Sequence, residues 1–146
     1  MAMRELKTET VTGRQGCQGK PVDEDSIGKL IVPATMQVHT ALGAGLLESA
    51  YEACLAYELT KRGLMVERQV SMPVIYESVR LDIGYRIDLL LEQKVVLEIK
   101  TVDRVIPAHL AQILTYLKLG RYKLGFLLNF NVAHMRDGIK RVVNGL

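Results

Sequence analysis

Three charged residues interrupt the apolar runs of one stretch of the chain, Tyr85 to Val102, which reads YRIDLLLEQKVVLEIKTV. They are Asp88, Glu98 and Lys100. The stretch is rich in β-branched and aliphatic residues, which predicts two strands joined by a tight polar turn at Glu92-Gln93-Lys94. Side chains alternate faces along a strand, so Glu98 and Lys100 share one face and Ile99 takes the other. Paired strands lie about 4.8 Å apart, which lets Asp88 approach both charges from the neighbouring strand. Charges in a buried sheet are costly unless they are paired or hold a metal. Alternating acid and base also occurs on solvated strands, but Val95, Val96, Leu97 and Ile99 around this pair favour a buried one.

The chemistry that suits such a set is metal-assisted hydrolysis of a phosphodiester. Mg²⁺ and Mn²⁺ take oxygen ligands, one or two carboxylates with water and phosphate supplying the rest. Asp88, Glu98 and the backbone carbonyl of Ile99 would be the protein's share. The metal would lower the pKa of a bound water and neutralise charge on the scissile phosphate. Lys100 would orient or deprotonate that water, or stabilise the anionic transition state. Gln112 is expected to approach the metal or the phosphate from a later helix. Glu48 is expected to add a ligand through water from an earlier one.

Positioning these groups requires a fold, and the pattern of the chain predicts one. From Asp25 to Leu42, apolar residues recur at helical spacing, with Asp25 or Ser26 as cap and Pro33 as a kink or break. A turn at Gly43-Ala44-Gly45 follows. A second helix is expected over Leu46 to Arg62, with Leu47, Tyr51, Leu55 and Leu59 as its apolar stripe and Glu48 in line with them. A carboxylate in the first turn also suits the helix dipole.

Three strand-like segments come next: Met65 to Glu77, Val79 to Leu91 and Val95 to Val102. Pro73 suggests an edge position or a bulge, and short turns suggest an antiparallel meander. Pro107 opens a helix to Gly120 that buries Leu110, Ile113, Leu114 and Leu117. On it His109, Gln112 and Tyr116 share a neighbouring face. Lys123 to Phe130 has the continuous apolar character of a central strand. Gly138 to Val143 is expected to form a last short strand or helical turn. Together these predict an α/β fold, a mixed central sheet flanked by helices.

Composition narrows the classes. The chain has 146 residues, 49% hydrophobic and 24% charged, enough for one domain with a core. Its net charge of +3 and pI near 8.9 admit a polyanionic partner without requiring one. Cys17 and Cys54 form no motif and are expected as free thiols of a reducing, cytoplasmic compartment. No apolar run reaches 18 residues, so no membrane helix is expected. The absence of Trp and the two Phe argue against an aromatic platform for single-stranded bases. Residues 1–23 are expected to be a loosely ordered tail, and 24–146 the domain. Gly13, Gly16 and Gly19 in that tail lack the strand and the lysine-serine pair of a phosphate loop.

The segment Gly45-Leu-Leu-Glu48-Ser-Ala-Tyr51 matches a GxxExxY signature. With YRIDLLL, LEIK and AQILTYL in that order, the chain resembles the GxxExxY family of the PD-(D/E)XK nuclease superfamily, from about Ile27 to Val143. The resemblance implies a restriction-endonuclease-like fold: a helix, a three-strand meander, a crossover helix and a strand. It carries Asp88 onto the family's motif Asp and Glu98 with Lys100 onto its (D/E)XK pair. Glu48 matches the helix-borne acid and Gln112 the glutamine of the following helix. Ile87 stands where the superfamily's name has Pro, which supplies no ligand.

The implied activity is a Mg²⁺- or Mn²⁺-dependent nuclease acting on DNA, with RNA as the lesser expectation. The alternatives are a binding module that contacts nucleic acid or protein without cutting, and a subunit of a homodimer or larger complex. His39 is expected to serve a helix C-terminus, and Tyr51 to pack in the core. His109 and His134 lack the spacing of zinc ligands. Arg80, Arg86, Arg104, Lys118, Arg121 and Lys123 could contact phosphates or be ordinary surface residues.

Overall fold

A computed structural model of the protein describes residues 22–146. The expected tail lies outside these residues except for Val22 and Asp23, and Cys17 and the three glycines lie outside them entirely. Helix α1 spans Glu24–Leu42. Its cap is Asp23 rather than Asp25 or Ser26: the Asp23 carboxylate accepts from the Ser26 N–H at 2.8 Å. Hydrogen bonding with the Ser26 side chain, and then with its N–H, holds the Asp23 carboxyl below its usual range. Pro33 lies inside α1 without dividing it. Both Pro33 and Lys29, whose carbonyl loses a donor, are exposed, so water can take the place of the missing bond.

Helix α2 spans Glu48–Lys61. Tyr51, Leu55 and Leu59 are fully buried, each stabilising the fold by roughly 1.5–3 kcal/mol. Leu47 leaves the expected stripe. It caps the helix and is 76% exposed, because it precedes the first turn.

The strands are β1 (Val66–Ser71), β2 (Val74–Tyr76), β3 (Val79–Leu81), β4 (Arg86–Leu91) and β5 (Val95–Lys100). Helix α3 (Pro107–Gly120), β6 (Leu124–Asn129), a 3₁₀ turn (Met135–Gly138) and β7 (Ile139–Val143) complete the chain. The last segment is thus both a helical turn and a strand. A five-stranded mixed sheet runs in the order β1-β4-β5-β6-β7, with only β5 and β6 parallel.

The first two of the three expected strands each divide. Around Pro73 the chain leaves β1, an edge strand, and forms a separate two-stranded ribbon of β2 and β3 before returning as β4. Pro cannot extend the ladder, so the break falls where the sequence placed an edge or bulge. The two-residue turn at Glu77-Ser78 closes the ribbon. The turn at Glu92-Gln93-Lys94 joins β4 to β5, with Glu92 and Gln93 both left-handed, which suits the twist of a hairpin.

Two cores flank the sheet. On one face Val95, Leu97 and Ile99 of β5 pack with α1 and α2. On the other, Val96 packs with Ile113, Tyr116 and Leu117 of α3. Gly125 of β6 permits a close approach there. A Cβ at this position would lie 3.0 Å from Ile113 Cδ1 and 3.2 Å from both Leu117 Cδ2 and the Val96 carbonyl oxygen. The missing side chain therefore sets how near α3 lies to the sheet.

Candidate active site

Alternation along β5 puts Glu98 and Lys100 on the α3 face, as the sequence predicts, with Ile99 in the opposite core. Glu98 is 4% exposed and Lys100 is half-buried. The Lys100 ammonium donates to Gln112 Oε1 at 3.5 Å, and Gln112 Nε2 donates to the Tyr116 hydroxyl at 3.2 Å. The expected shared face of Gln112 and Tyr116 is real, and it extends to Lys100 across the β5–α3 gap.

Asp88 sits where the regular sheet fails. Ile87 packs in the α3-side core but Leu89 in the other, so two residues that should share a face do not. On β1, Gln69 lies between the pairs Arg68↔Leu89 and Val70↔Ile87 and takes a left-handed φ of 53°. On the other side, the paired register of β4 and β5 runs only from Leu91↔Val95 to Leu89↔Leu97.

Beyond that point carboxylates bridge the two strands. Asp88 Oδ2 accepts from the Ile99 N–H at 2.8 Å, and Glu98 Oε1 accepts from the Asp88 N–H at 3.2 Å. Each acid is thereby held by the other's strand. Among the described residues neither forms an ion pair.

Helix α2 brings two more acids. Glu48, exposed at its first turn, accepts from the Thr101 N–H at 3.2 Å, just past β5. Its position depends on Tyr51, whose hydroxyl donates to the Gly43 carbonyl at 2.5 Å and accepts from the Leu46 N–H at 3.2 Å. Tyr51 also stacks on Phe130 at 4.4 Å between ring centres, so it is a packing residue that pins the preceding loop.

Glu52 was not anticipated. It lies one helical turn beyond Glu48, on the same face, and that i, i+4 spacing was the available signal. It is 7% exposed and receives Arg68 Nε at 3.1 Å, Arg68 Nη2 at 2.9 Å and the Gln69 amide. Gln69 Nε2 also donates to Asp88 Oδ1 at 3.3 Å, linking Glu52 to Asp88. No sequence rule singles out Arg68 or Gln69 on an edge strand.

The electrostatics follow from burial. Desolvation, then repulsion by Asp88, push Glu98 up to about 8. Asp88 is also raised, first by burial; the Ile99 N–H opposes this, and Glu52 and Glu48 add to it. Burial and the nearby Glu98 raise the Tyr116 hydroxyl. Among the described residues no group of three or more His, Cys, Asp or Glu could cage a metal ion. Asp88 and Glu98 fit a less enclosed site, because Mg²⁺ commonly uses one or two carboxylates and keeps several waters. Lys100 lies near enough to Glu98 to oppose that rise in part, without pairing with it among the described residues, and two such carboxylates are a suitable donor set for a cation.

Other expected residues lie elsewhere. His39 Nε2 meets the Val132 carbonyl at 2.9 Å, so its ring ties α1 to the segment after β6 rather than serving the helix end. His109 Nδ1 accepts from the Ile106 N–H at the start of α3. Arg80, Arg86, Arg104, Lys118, Arg121 and Lys123 are all exposed, with Arg80 3.5 Å from Asp82. Cys54 is a free thiol on α2 beside the core. No helix among the described residues is long and apolar enough to cross a membrane.

This arrangement, a mixed α/β sheet with Asp88, Glu98 and Lys100 brought together at the opening of two strands, defines a nuclease-like fold. The family model of the PD-(D/E)XK nuclease superfamily matches residues 25–142, and the chain belongs to that superfamily. No curated protein and no solved structure matches it.

Proposed function

We propose that the protein is a divalent-metal-dependent nuclease of the GxxExxY kind that hydrolyses phosphodiester bonds of nucleic acid, DNA in the first place. One observation carries this reading: Glu98 is buried against Asp88, and among the described residues no cationic side chain is bonded to either. Such a pair is destabilising by itself, and a bound cation would offset it.

Asp88 and Glu98, with the Ile99 carbonyl, would hold Mg²⁺ or Mn²⁺, and Glu48 would reach it through water. When bound, the metal would lower the pKa of a water and neutralise charge on the scissile phosphate. Lys100 donates to the attacking water or to a phosphate oxygen. Gln112 steadies the Lys100 ammonium while Tyr116 holds the Gln112 amide. The exposed arginines and lysines would meet the nucleic-acid backbone.

Cleavage of plasmid and oligonucleotide DNA in Mg²⁺, Mn²⁺ and chelator tests this. Asp88→Ala, Glu98→Ala and Lys100→Ala should each lower metal-dependent cleavage at least about a hundredfold, with the circular dichroism spectrum unchanged. Cleavage that persists in chelator, or in Glu98→Ala, overturns the reading. Salt-sensitive DNA binding without turnover, and without Mn²⁺ uptake by calorimetry, would instead assign a binding module.

A further inference from the structure

Beside the acid cluster runs a groove of about 650 Å³ between α3 and the segment where the β2–β3 ribbon rejoins the sheet. It is lined by Val74, Tyr85, Ile106, Tyr116 and Leu119, and also by Gln112. Tyr85 is 45% exposed, and its ring lies 6.3 Å from that of buried Tyr116 at 58°. Ile106 and Leu119 are exposed as well, at 45% and 38%. An apolar surface of this kind, with few polar groups, marks a binding site on a soluble domain.

Gln112 and Tyr116 belong to both places. They line the groove, and through Gln112 they bond to Lys100. Whatever occupies the groove is therefore continuous with whatever lies at Lys100. On the reading of the site as a nuclease, that neighbour is a backbone phosphate. The group attached within one nucleotide of it is a base, which is flat and apolar on its faces and polar at its edge. Aromatic and aliphatic walls suit the faces, and the amide of Gln112 and the imidazole of His109 suit the edge. A base stacked inside a duplex offers no free face, so the occupant must be unpaired.

We infer that the Tyr85–Tyr116 groove is a subsite for an unpaired nucleobase beside the phosphate bound at Lys100, so that the protein prefers single-stranded or frayed nucleic acid over intact duplex. This inference rests on the nuclease reading. It runs against the composition, which lacks Trp and has two Phe. The tertiary structure, however, brings two of the six tyrosines together next to the charged site.

The test is fluorescence anisotropy in Ca²⁺ with three probes: a dT₂₀ strand, a matched strand of abasic tetrahydrofuran residues, and a blunt 20-base-pair duplex. Wild-type protein should bind dT₂₀ about tenfold more tightly than the abasic strand. Tyr85→Ala should abolish that preference and leave duplex binding within about twofold. Tyr85→Phe should keep the preference, because the ring rather than the hydroxyl stacks. Equal losses on all three probes, or a preference indifferent to Tyr85→Ala, overturn the subsite while leaving the nuclease reading intact. Failure of wild-type protein to bind any probe at low salt overturns both. A change in mass by light scattering in Tyr85→Ala, with affinities unmoved, would assign the groove to a second copy of the chain and overturn the subsite.

Discussion

Glu52 and Glu98 are two buried glutamates of one polar cluster, and their surroundings are opposite. Glu52 receives three hydrogen bonds from Arg68 and Gln69, two of them from the guanidinium, and is a satisfied structural acid. Glu98 receives one backbone N–H and faces another carboxylate. Burial alone therefore does not distinguish these two acids; the partner does. An arginine within hydrogen-bond reach completes the first site, whereas on the proposed reading the second takes a cation from outside the chain.

The contrast can be broken most directly through stability against pH. The folded-state value of Glu98 is raised from 4.5 to about 8, so the folded chain keeps a proton that the unfolded chain has released. Its contribution is fully present below about pH 4.5 and is lost as pH rises through about 8. In chelator, urea denaturation should show wild-type stability falling over that window by on the order of a few kcal/mol. Glu98→Gln should flatten the profile, and Mg²⁺ at pH 8 should restore much of the wild-type loss. A flat wild-type profile would remove the distinction between the two acids.

Glu52 is tested by removing its side chain. Glu52→Ala leaves Arg68 and Gln69 without their acceptor and should lower stability by about 1–3 kcal/mol at neutral pH. It should also weaken metal-dependent cleavage, because Gln69 links Glu52 to Asp88. A Glu52→Ala variant as stable as wild type would show that the cluster does not need this pair.

Gly125→Ala sharpens the comparison from the other face. The added methyl meets Ile113, Leu117 and the Val96 carbonyl and must push α3 outward. A cost of about 1 kcal/mol or more is expected, with cleavage reduced more than stability because Gln112 rides on α3. Equal activity per folded molecule would show that α3 has slack. Gln112→Ala is the mildest change. It should leave stability within about 0.5 kcal/mol and reduce kcat rather than raise KM, as expected of a residue that steadies Lys100.

Much of this was legible in the one-dimensional pattern. Strand alternation correctly put Glu98 and Lys100 on one face, and helical spacing correctly joined Gln112 to Tyr116. Both rest on short-range backbone geometry, which adjacent residues determine. The division of the first two strands around the β2–β3 ribbon was not legible, because an apolar run with one Pro does not say whether the chain stays in its sheet. Nor was the continuity of α1 through Pro33, which depends on where the missing bond faces.

The sequence by itself determined the fold class, the residue types of the charged site and their order along the chain. It could do so because hydrophobic period and strand alternation are local properties. Only the tertiary structure decided which carboxylate had a partner. Arg68 reaches Glu52 across sixteen positions of the sequence, and Asp88 meets Ile99 across eleven, at a point where two strands separate. Contacts between elements are set by how those elements pack, and packing depends on side chains distant in the chain.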